Sequence, residues 1–361
     1  MNLDYSTKAL FTGSEWLNDV VIHIKNDVVV GIDQKGFDAN GAMPFIIPAL
    51  IDLQLYGADG KLLSEFAEKL TIEKIYQYCI ESGTSFFQPT IASQSMDVIY
   101  ASIDAVKAYK AFGGKGCIGL HLEGPWINVG KKGAHDVSVI QVPDIEEVIS
   151  VLAYGKDVIS MITLAPEVCT PEIIKTIQAA GIVVSAGHTN ASYETAMQFF
   201  DDGIPVATHL FNAMSAFQHR APGVVGALFN HPTAMSSIVP DGYHVDFAAI
   251  RVAKKIMGDR LFCITDAVTS TSTGLYQHTL VGDKYESAGT LSGSALTQLK
   301  SIQNLVEHVG ISLDEAIKMC SVYPAKVMQH KNITGTIEIN KKANLLCLSA
   351  ELAILNKVII H

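Results

Sequence analysis

The chain is poor in the features that would organise it by covalent links or by a membrane. Its six cysteines (Cys79, Cys117, Cys169, Cys263, Cys320, Cys347) stand singly, without a CxxC pair or a dense framework. They read as reduced core thiols, not as a disulfide scaffold. No apolar run approaches the roughly 18–20 residues that a membrane span needs. The opening residues Met1-Asn2-Leu3-Asp4-Tyr5 show neither a basic nor an apolar leader segment, so the expected compartment is the cytoplasm. Lysine and arginine form no extended cluster, and the net charge is −10 at pH 7. A phosphate backbone requires a positive footprint, so nucleic acid is not an expected partner. Internal repeats and low-complexity segments are also missing. What is present is 361 residues, 48% hydrophobic and 17% charged. That suits an enzyme whose strands are buried on both faces, with one large domain and a small one.

From about Phe45 onward, short apolar runs alternate with amphipathic segments of helical period, the pattern of repeated βα units around a parallel sheet. Eight strands are predicted: Phe45–Leu53, Phe86–Pro89, Cys117–Leu122, Ile159–Leu164, Ile182–Ser185, Pro205–Leu210, Met235–Pro240 and Leu261–Thr265. Helices are predicted over Ile72–Ser82, Asp97–Phe112, Pro171–Ala180, Ser192–Asp202 and Asp246–Met257, with Pro171 and Ser192 near starts and Gly181, Gly203 and Gly258 just past ends. Eight such units suggest a TIM-type (β/α)8 barrel. Residues 1–44 hold strand-like Val20–Ile24 and Val28–Ile32, and the tail holds Thr336–Ile339, Asn344–Leu348 and Lys357–Ile360. Apart, two small sheets would expose edges, so residues 1–44 and 331–361 are expected to pair into one small β-sandwich-like domain beside a barrel of residues 45–330.

Four apolar runs stop on, or run into, a His, Glu or Asp. They are His121-Leu122-Glu123-Gly124-Pro125, Gly187-His188-Thr189-Asn190, Thr208-His209-Leu210-Phe211-Asn212, and Thr265-Asp266 after Leu261-Phe262-Cys263-Ile264. In a βα barrel the C-terminal strand ends open into one bowl, so Glu123, His188, His209 and Asp266 are predicted neighbours. Two imidazoles and a carboxylate suit a catalytic divalent metal, zinc or ferrous iron, because three protein ligands leave a position for water. Such a water loses its proton near neutral pH, and Asp266 is the carboxylate placed to take that proton and pass it on. Taken singly, each residue has a plainer reading: a hydrogen-bonded structural histidine, a helix N-cap at Asp266, a turn carboxylate at Glu123. Their joint occurrence at strand ends favours the site. Arg220-Ala221-Pro222-Gly223 follows strand six, and arginine suits bidentate phosphate or carboxylate binding. Lys131-Lys132-Gly133-Ala134-His135 follows strand three, its lysines reading better as a solvated basic turn. Asp241-Gly242-Tyr243-His244 follows strand seven and should bring His244 to the bowl.

In this order, His121–Pro125, Lys132–His135, Ser185–Thr189, Thr208–Met214, Arg220–Gly223, Asp241–Asp246 and Thr265–Ala267 closely resemble the N-acetylglucosamine-6-phosphate deacetylase family of the amidohydrolase superfamily, from about Pro48 to Asn344. The resemblance implies an α/β fold, a TIM-type barrel of the amidohydrolase kind with a small β domain formed by both termini. It implies hydrolysis of N-acetylglucosamine 6-phosphate to glucosamine 6-phosphate and acetate in amino-sugar catabolism. By it, Glu123, His188 and His209 match metal ligands and Asp266 the catalytic acid/base. His135 and His244 match substrate-binding histidines, His135 also steadying the oxyanion. Ala134, Asn212 and Ala213 match loop residues that hold the sugar phosphate, and Leu291-Ser292-Gly293 match a substrate-contacting segment after the last strand. Arg220 matches a phosphate-binding arginine that reaches into the neighbouring subunit, which implies a homodimer. The rival substrates are N-acetylgalactosamine 6-phosphate or a cyclic amide, and the rival class is a silent sugar-phosphate sensor. Where many amidohydrolases carry His-x-His for a second metal, this chain has Gln54-Leu55-Tyr56; glutamine is a poor zinc ligand, so one metal per subunit is expected. Ala49 and Ala221 stand where Gly and Glu are usual.

Overall fold

The apolar run Phe45–Leu53, expected as one strand, divides at Ala49 between two sheets of the computed structural model, which describes residues 2–329 and 333–360. Met43–Pro48 ends on a proline, which has no N–H with which to extend a ladder, and Leu50–Leu55 begins the next sheet. Residues on both flanks of the break are buried, so hydrophobicity does not mark it.

Leu50–Leu55 is the first of eight parallel strands in chain order, followed by Thr84–Ala92, Leu120–Glu123, Ile159–Leu164, Val183–Ala186, Val206–Ala207, Met235–Ile238 and Leu261–Cys263. The sheet closes just beyond the last of them. Asp266 N–H donates to the Gln54 carbonyl at 3.0 Å, and Tyr56 N–H donates to the Ala267 carbonyl at 2.9 Å. The result is the expected TIM-type barrel. Helices including Lys69–Glu81, Met96–Ala111, Pro171–Ala179, Tyr193–Asp201 and Phe247–Met257 cover it. Their starts follow side-chain chemistry: Thr170, Ser192 and Asp246 each accept a first-turn N–H, and Pro171 sits where no N–H is required. Phe247–Met257 buries Ile250, Ala253 and Met257, an i, i+3, i+7 stripe whose larger side chains contribute about 1.5–3 kcal/mol each.

Three barrel strands stop earlier than expected, Met235–Pro240 ending at Ile238 among them. Pro205–Leu210 contracts to Val206–Ala207, and Leu261–Thr265 to Leu261–Cys263. The chain then reaches His209 and Asp266 at φ of 36° and 55°, backbone that cannot continue a strand.

Strands from both chain ends form a six-stranded sheet in the order Ile354–Val358, Leu345–Leu348, Met43–Pro48, Asn2–Phe11, Trp16–Lys25, Val28–Asp33. Leu10, Ile22, Ile46, Leu345 and Cys347 share its core. Asn26 and Asp27, at φ of 51° and 69°, make the tight hairpin between the last two strands of that order. Thr336–Ile339, expected as a strand, is not one. Ile337 N–H reaches the Thr12 carbonyl, but Lys341 N–H turns back to the Glu338 carbonyl. The boundary expected at residues 330/331 lies outside the described residues. A three-stranded antiparallel flap, Thr279–Val281, Lys284–Ser287 and Thr290–Ser294, follows the barrel and was not foreseen. Among the described residues no helix is long and apolar enough to cross a membrane.

Candidate active site

Glu123 closes the third barrel strand; His188, His209 and Asp266 lie just past the fifth, sixth and eighth. All four are buried. The last three take positive φ (48°, 36° and 55°), uncommon for residues with a side chain and held here by hydrogen bonds. His209 N–H donates to Ser237 Oγ at 2.8 Å, and the His188 carbonyl accepts from Asn128 N–H at 3.0 Å.

These turns bring three donor atoms together. Glu123 Oε1 lies 3.0 Å from His209 Nε2 and 3.3 Å from His188 Nε2, and the two nitrogens are 3.1 Å apart. The far side of each ring sets its tautomer. His188 Nδ1 is 2.9 Å from the Lys131 carbonyl and His209 Nδ1 is 3.1 Å from the Asn212 carbonyl. A carbonyl only accepts, so in the neutral rings Nδ1 carries the hydrogen and Nε2 turns a lone pair toward Glu123. Three lone pairs face one another, an arrangement that calls for a cation. Donors bound at about 2.0–2.1 Å to one tetrahedral ion stand about 3.3 Å apart, so these residues fit a divalent metal. Burial opposes it, yet the adjoining His135, His188 and His209 rings hold the Glu123 carboxyl well below the usual range. Burial and the neighbouring His135 push His188 down to about 4. Burial works against a charged His209 too, but Glu123 prevails and holds it raised.

Glu123, His135 and His188 form a second close group able to hold an ion. Its chemistry is less apt. His135 Nδ1 accepts from Ser93 N–H at 3.2 Å, so the hydrogen sits on Nε2, 3.3 Å from Glu123 Oε2. His135 thus stands as a donor to the second carboxylate oxygen.

The first barrel strand faces the same carboxylates with hydrogens. Gln54 Nε2 donates to Asp266 Oδ1 at 2.9 Å and to Glu123 Oε1 at 3.0 Å, while its Oε1 accepts from Thr208 Oγ1 at 2.6 Å, which fixes the amide's orientation. The Tyr56 hydroxyl donates to Glu123 Oε2 at 2.5 Å. Burial, Asp266 and Glu123 together raise that phenol well above its ordinary value. Burial raises the Asp266 carboxyl; His244 pulls it back and Glu123 pushes it further up. Asp266 Oδ2 lies 3.7 Å from His244 Nε2, and His244 Nδ1 is 2.6 Å from Asp241 Oδ2. Asp52, deeper on the strand, accepts from Thr265 Oγ1 at 2.5 Å and from the Thr265 and Gln54 N–H groups. Burial pushes its carboxyl up to about 6.

Glu123, His135, His188, His209, His244 and Asp266 open into one cavity of about 180 Å³. Ala134, Asn212, Ala213, Leu291, Ser292 and Gly293 line it as well. Arg220 does not. It is exposed and borders a separate groove with Lys131, Asn190 and Ser192. Sequence reasoning did not single out Leu62, in the two-residue strand Lys61–Leu62, or Tyr276 and His278, in a loop without periodicity, which also line the cavity. It noted Gln54 and Tyr56 only as missing metal ligands and passed over Asp52. The period-two alternation Asp52-Leu53-Gln54-Leu55-Tyr56 was the available signal, since alternate residues of a strand share a face.

The chain matches the amidohydrolase family over residues 45–360 and belongs to it. It is 30% identical to the N-acetylglucosamine-6-phosphate deacetylase of Haemophilus influenzae, across 97% of this chain and 96% of that protein. It is 26% identical to the N-acetylgalactosamine-6-phosphate deacetylase of Escherichia coli O157:H7, across 96% and 94%. The crystal structure of N-acetylglucosamine-6-phosphate deacetylase from Pasteurella multocida matches with a TM-score of 0.92 at 31% identity, covering 99% of this chain and 98% of that one.

Proposed function

We infer that the chain hydrolyses the acetamide of N-acetyl-D-glucosamine 6-phosphate, releasing acetate and D-glucosamine 6-phosphate. The observation that carries this reading is the meeting of Glu123, His188, His209 and Asp266 in one open cavity, in a chain whose relatives bear that activity in their names. The relative named for the galactosamine epimer makes N-acetylgalactosamine 6-phosphate the second reading.

Glu123 Oε1, His188 Nε2 and His209 Nε2 would hold one divalent cation, zinc or ferrous iron. Bound there, it supplies a water ionised near neutral pH and an electrophile for the acyl oxygen. Asp266 has the acid–base role. Its Oδ1 is engaged by Gln54, so Oδ2 is the oxygen free to take the water's proton and deliver it to the departing amine. His135, whose Nε2 hydrogen faces Glu123 Oε2, is the donor shared with the developing oxyanion. His244, oriented by Asp241, binds the sugar with Ala134, Asn212, Ala213 and the Leu291–Gly293 segment. Arg220, outside its own chain's cavity, serves the phosphate in a second subunit's site, which makes the working form a homodimer.

Acetate release from N-acetylglucosamine 6-phosphate, its galactosamine epimer and unphosphorylated N-acetylglucosamine tests this, on protein of measured metal content and on Arg220→Ala. The glucosamine phosphate should be the best substrate, and Arg220→Ala should mainly raise its KM. Equal use of the unphosphorylated sugar would refute the phosphate assignment, and no acetate from metal-loaded protein would refute the activity.

A further inference from the structure

The cavity has two unlike walls. Asn212 and Ala213, assigned above to the sugar, follow the sixth barrel strand. Leu62 follows the first strand, Ala92 ends the second, and Val268 and Tyr276 follow the eighth; these four line the cavity as well. Strands one, two and eight adjoin where the barrel closes, so their wall faces the fifth and sixth strands across the bowl. Leu62, Val268 and Tyr276 are buried in one apolar cluster, and Ala92 packs against it.

Each member of that wall stands beside a group that handles the amide. Ala92 pairs with Glu123 across the ladder, and Val268 lies two residues past Asp266. The Tyr276 ring is centred 6.3 Å from that of His135, and Leu62 pairs with Gly57, next to Tyr56. The phenols on this side have their hydroxyls engaged: Tyr276 donates to the Ser93 carbonyl at 2.6 Å and Tyr56 to Glu123 Oε2 at 2.5 Å. Tyr276 therefore offers a ligand its ring. Where polar atoms hold the scissile carbonyl, this wall meets the carbon attached to it, and burying that carbon against apolar surface is favourable. Ala92, half-buried and with the smallest side chain of the four, leaves the space that a longer chain would fill.

We propose that Leu62, Ala92, Val268 and Tyr276 form an acyl pocket that selects a short unbranched alkanoyl group, with Leu62 and Ala92 setting its depth. This rests on the deacetylase reading given above. Its test measures kcat/KM for N-acetyl- and N-propionyl-glucosamine 6-phosphate, by release of the amine, on wild type, Leu62→Ala and Ala92→Val. Circular dichroism checks folding, and calorimetry measures binding of glucosamine 6-phosphate, which carries no acyl group. One methylene in an apolar pocket is worth about tenfold or more, so Leu62→Ala should raise the propionyl-to-acetyl ratio about tenfold and Ala92→Val lower it about tenfold. Affinity for glucosamine 6-phosphate should stay within about twofold of wild type, because lost acyl contacts leave those of the sugar in place. A ratio unmoved in either folded variant, or a product affinity that falls as far as kcat/KM does, would overturn the proposal. Should Ala92→Val misfold, Ala92→Gly takes its place, with the ratio expected to rise. Failure of the two readings is distinguishable: amine from neither substrate sinks the deacetylase reading and the pocket with it, whereas acetate release with unmoved ratios sinks the pocket alone.

Discussion

The two sides of Glu123 treat one carboxylate in opposite ways. From the fifth and sixth strands come imidazole nitrogens bearing lone pairs; from the first strand come an amide and a phenol bearing hydrogens. The inner atoms alone do not decide which is which. His188 and His209 turn lone pairs inward because backbone carbonyls occupy their outer nitrogens, and Gln54 turns its NH2 inward because Thr208 occupies its oxygen. A layer of ordinary carbonyl and hydroxyl groups thus separates ligands from struts.

The comparison breaks most severely on the lone-pair side. His209→Ala should strip the cation and lower acetate release by about 10³-fold or more, since a catalytic metal contributes several kcal/mol. Metal analysis beside turnover checks this, and full metal content in the variant would contradict the assigned ligand set. Asp266→Asn is the next largest. It should keep its metal yet lose at least about 10²-fold in kcat, because an amide cannot take a proton from water; turnover near wild type would remove Asp266 from the acid–base role.

Asp52→Asn sharpens the hydrogen-bearing side and acts on stability. Burial raises the folded carboxyl to about 6 from 3.8, so the folded protein binds this proton more tightly than the unfolded chain. The resulting stabilisation is complete below about pH 4 and is lost as pH rises through about 6. An asparagine does not ionise, so the variant's stability relative to wild type should climb by up to about 3 kcal/mol across that window. Urea unfolding at several pH values measures it, and a difference that stays flat with pH would show that Asp52 is not held protonated.

Much of this could be read from the chain because its strand ends declare themselves. A hydrophobic run that stops on His or Glu has few explanations, and Glu123, His188 and His209 stop such runs. The barrel was legible for the same reason. Strand lengths at His209 and Asp266 were not, since positive φ there goes with N–H bonds donated to Ser237 and Gln54, remote in sequence. Tyr56 and Gln54 eluded the reading as active contributors because a motif built on imidazoles registers them only as something missing. Their role depends on distances to Glu123 and Asp266, across the barrel. Arg220 was legible as an anion binder, but its placement outside its own chain's cavity depends on folding.

The residue assigned to proton transfer is also a stitch in the seam of the cylinder: Asp266 donates its backbone N–H to Gln54 and its carbonyl accepts from Ser294. Chemistry and closure therefore share one residue. A barrel opened along that line retains no partly working site, so the temperature at which acetate release fails should be no higher than that at which the first and last staves part.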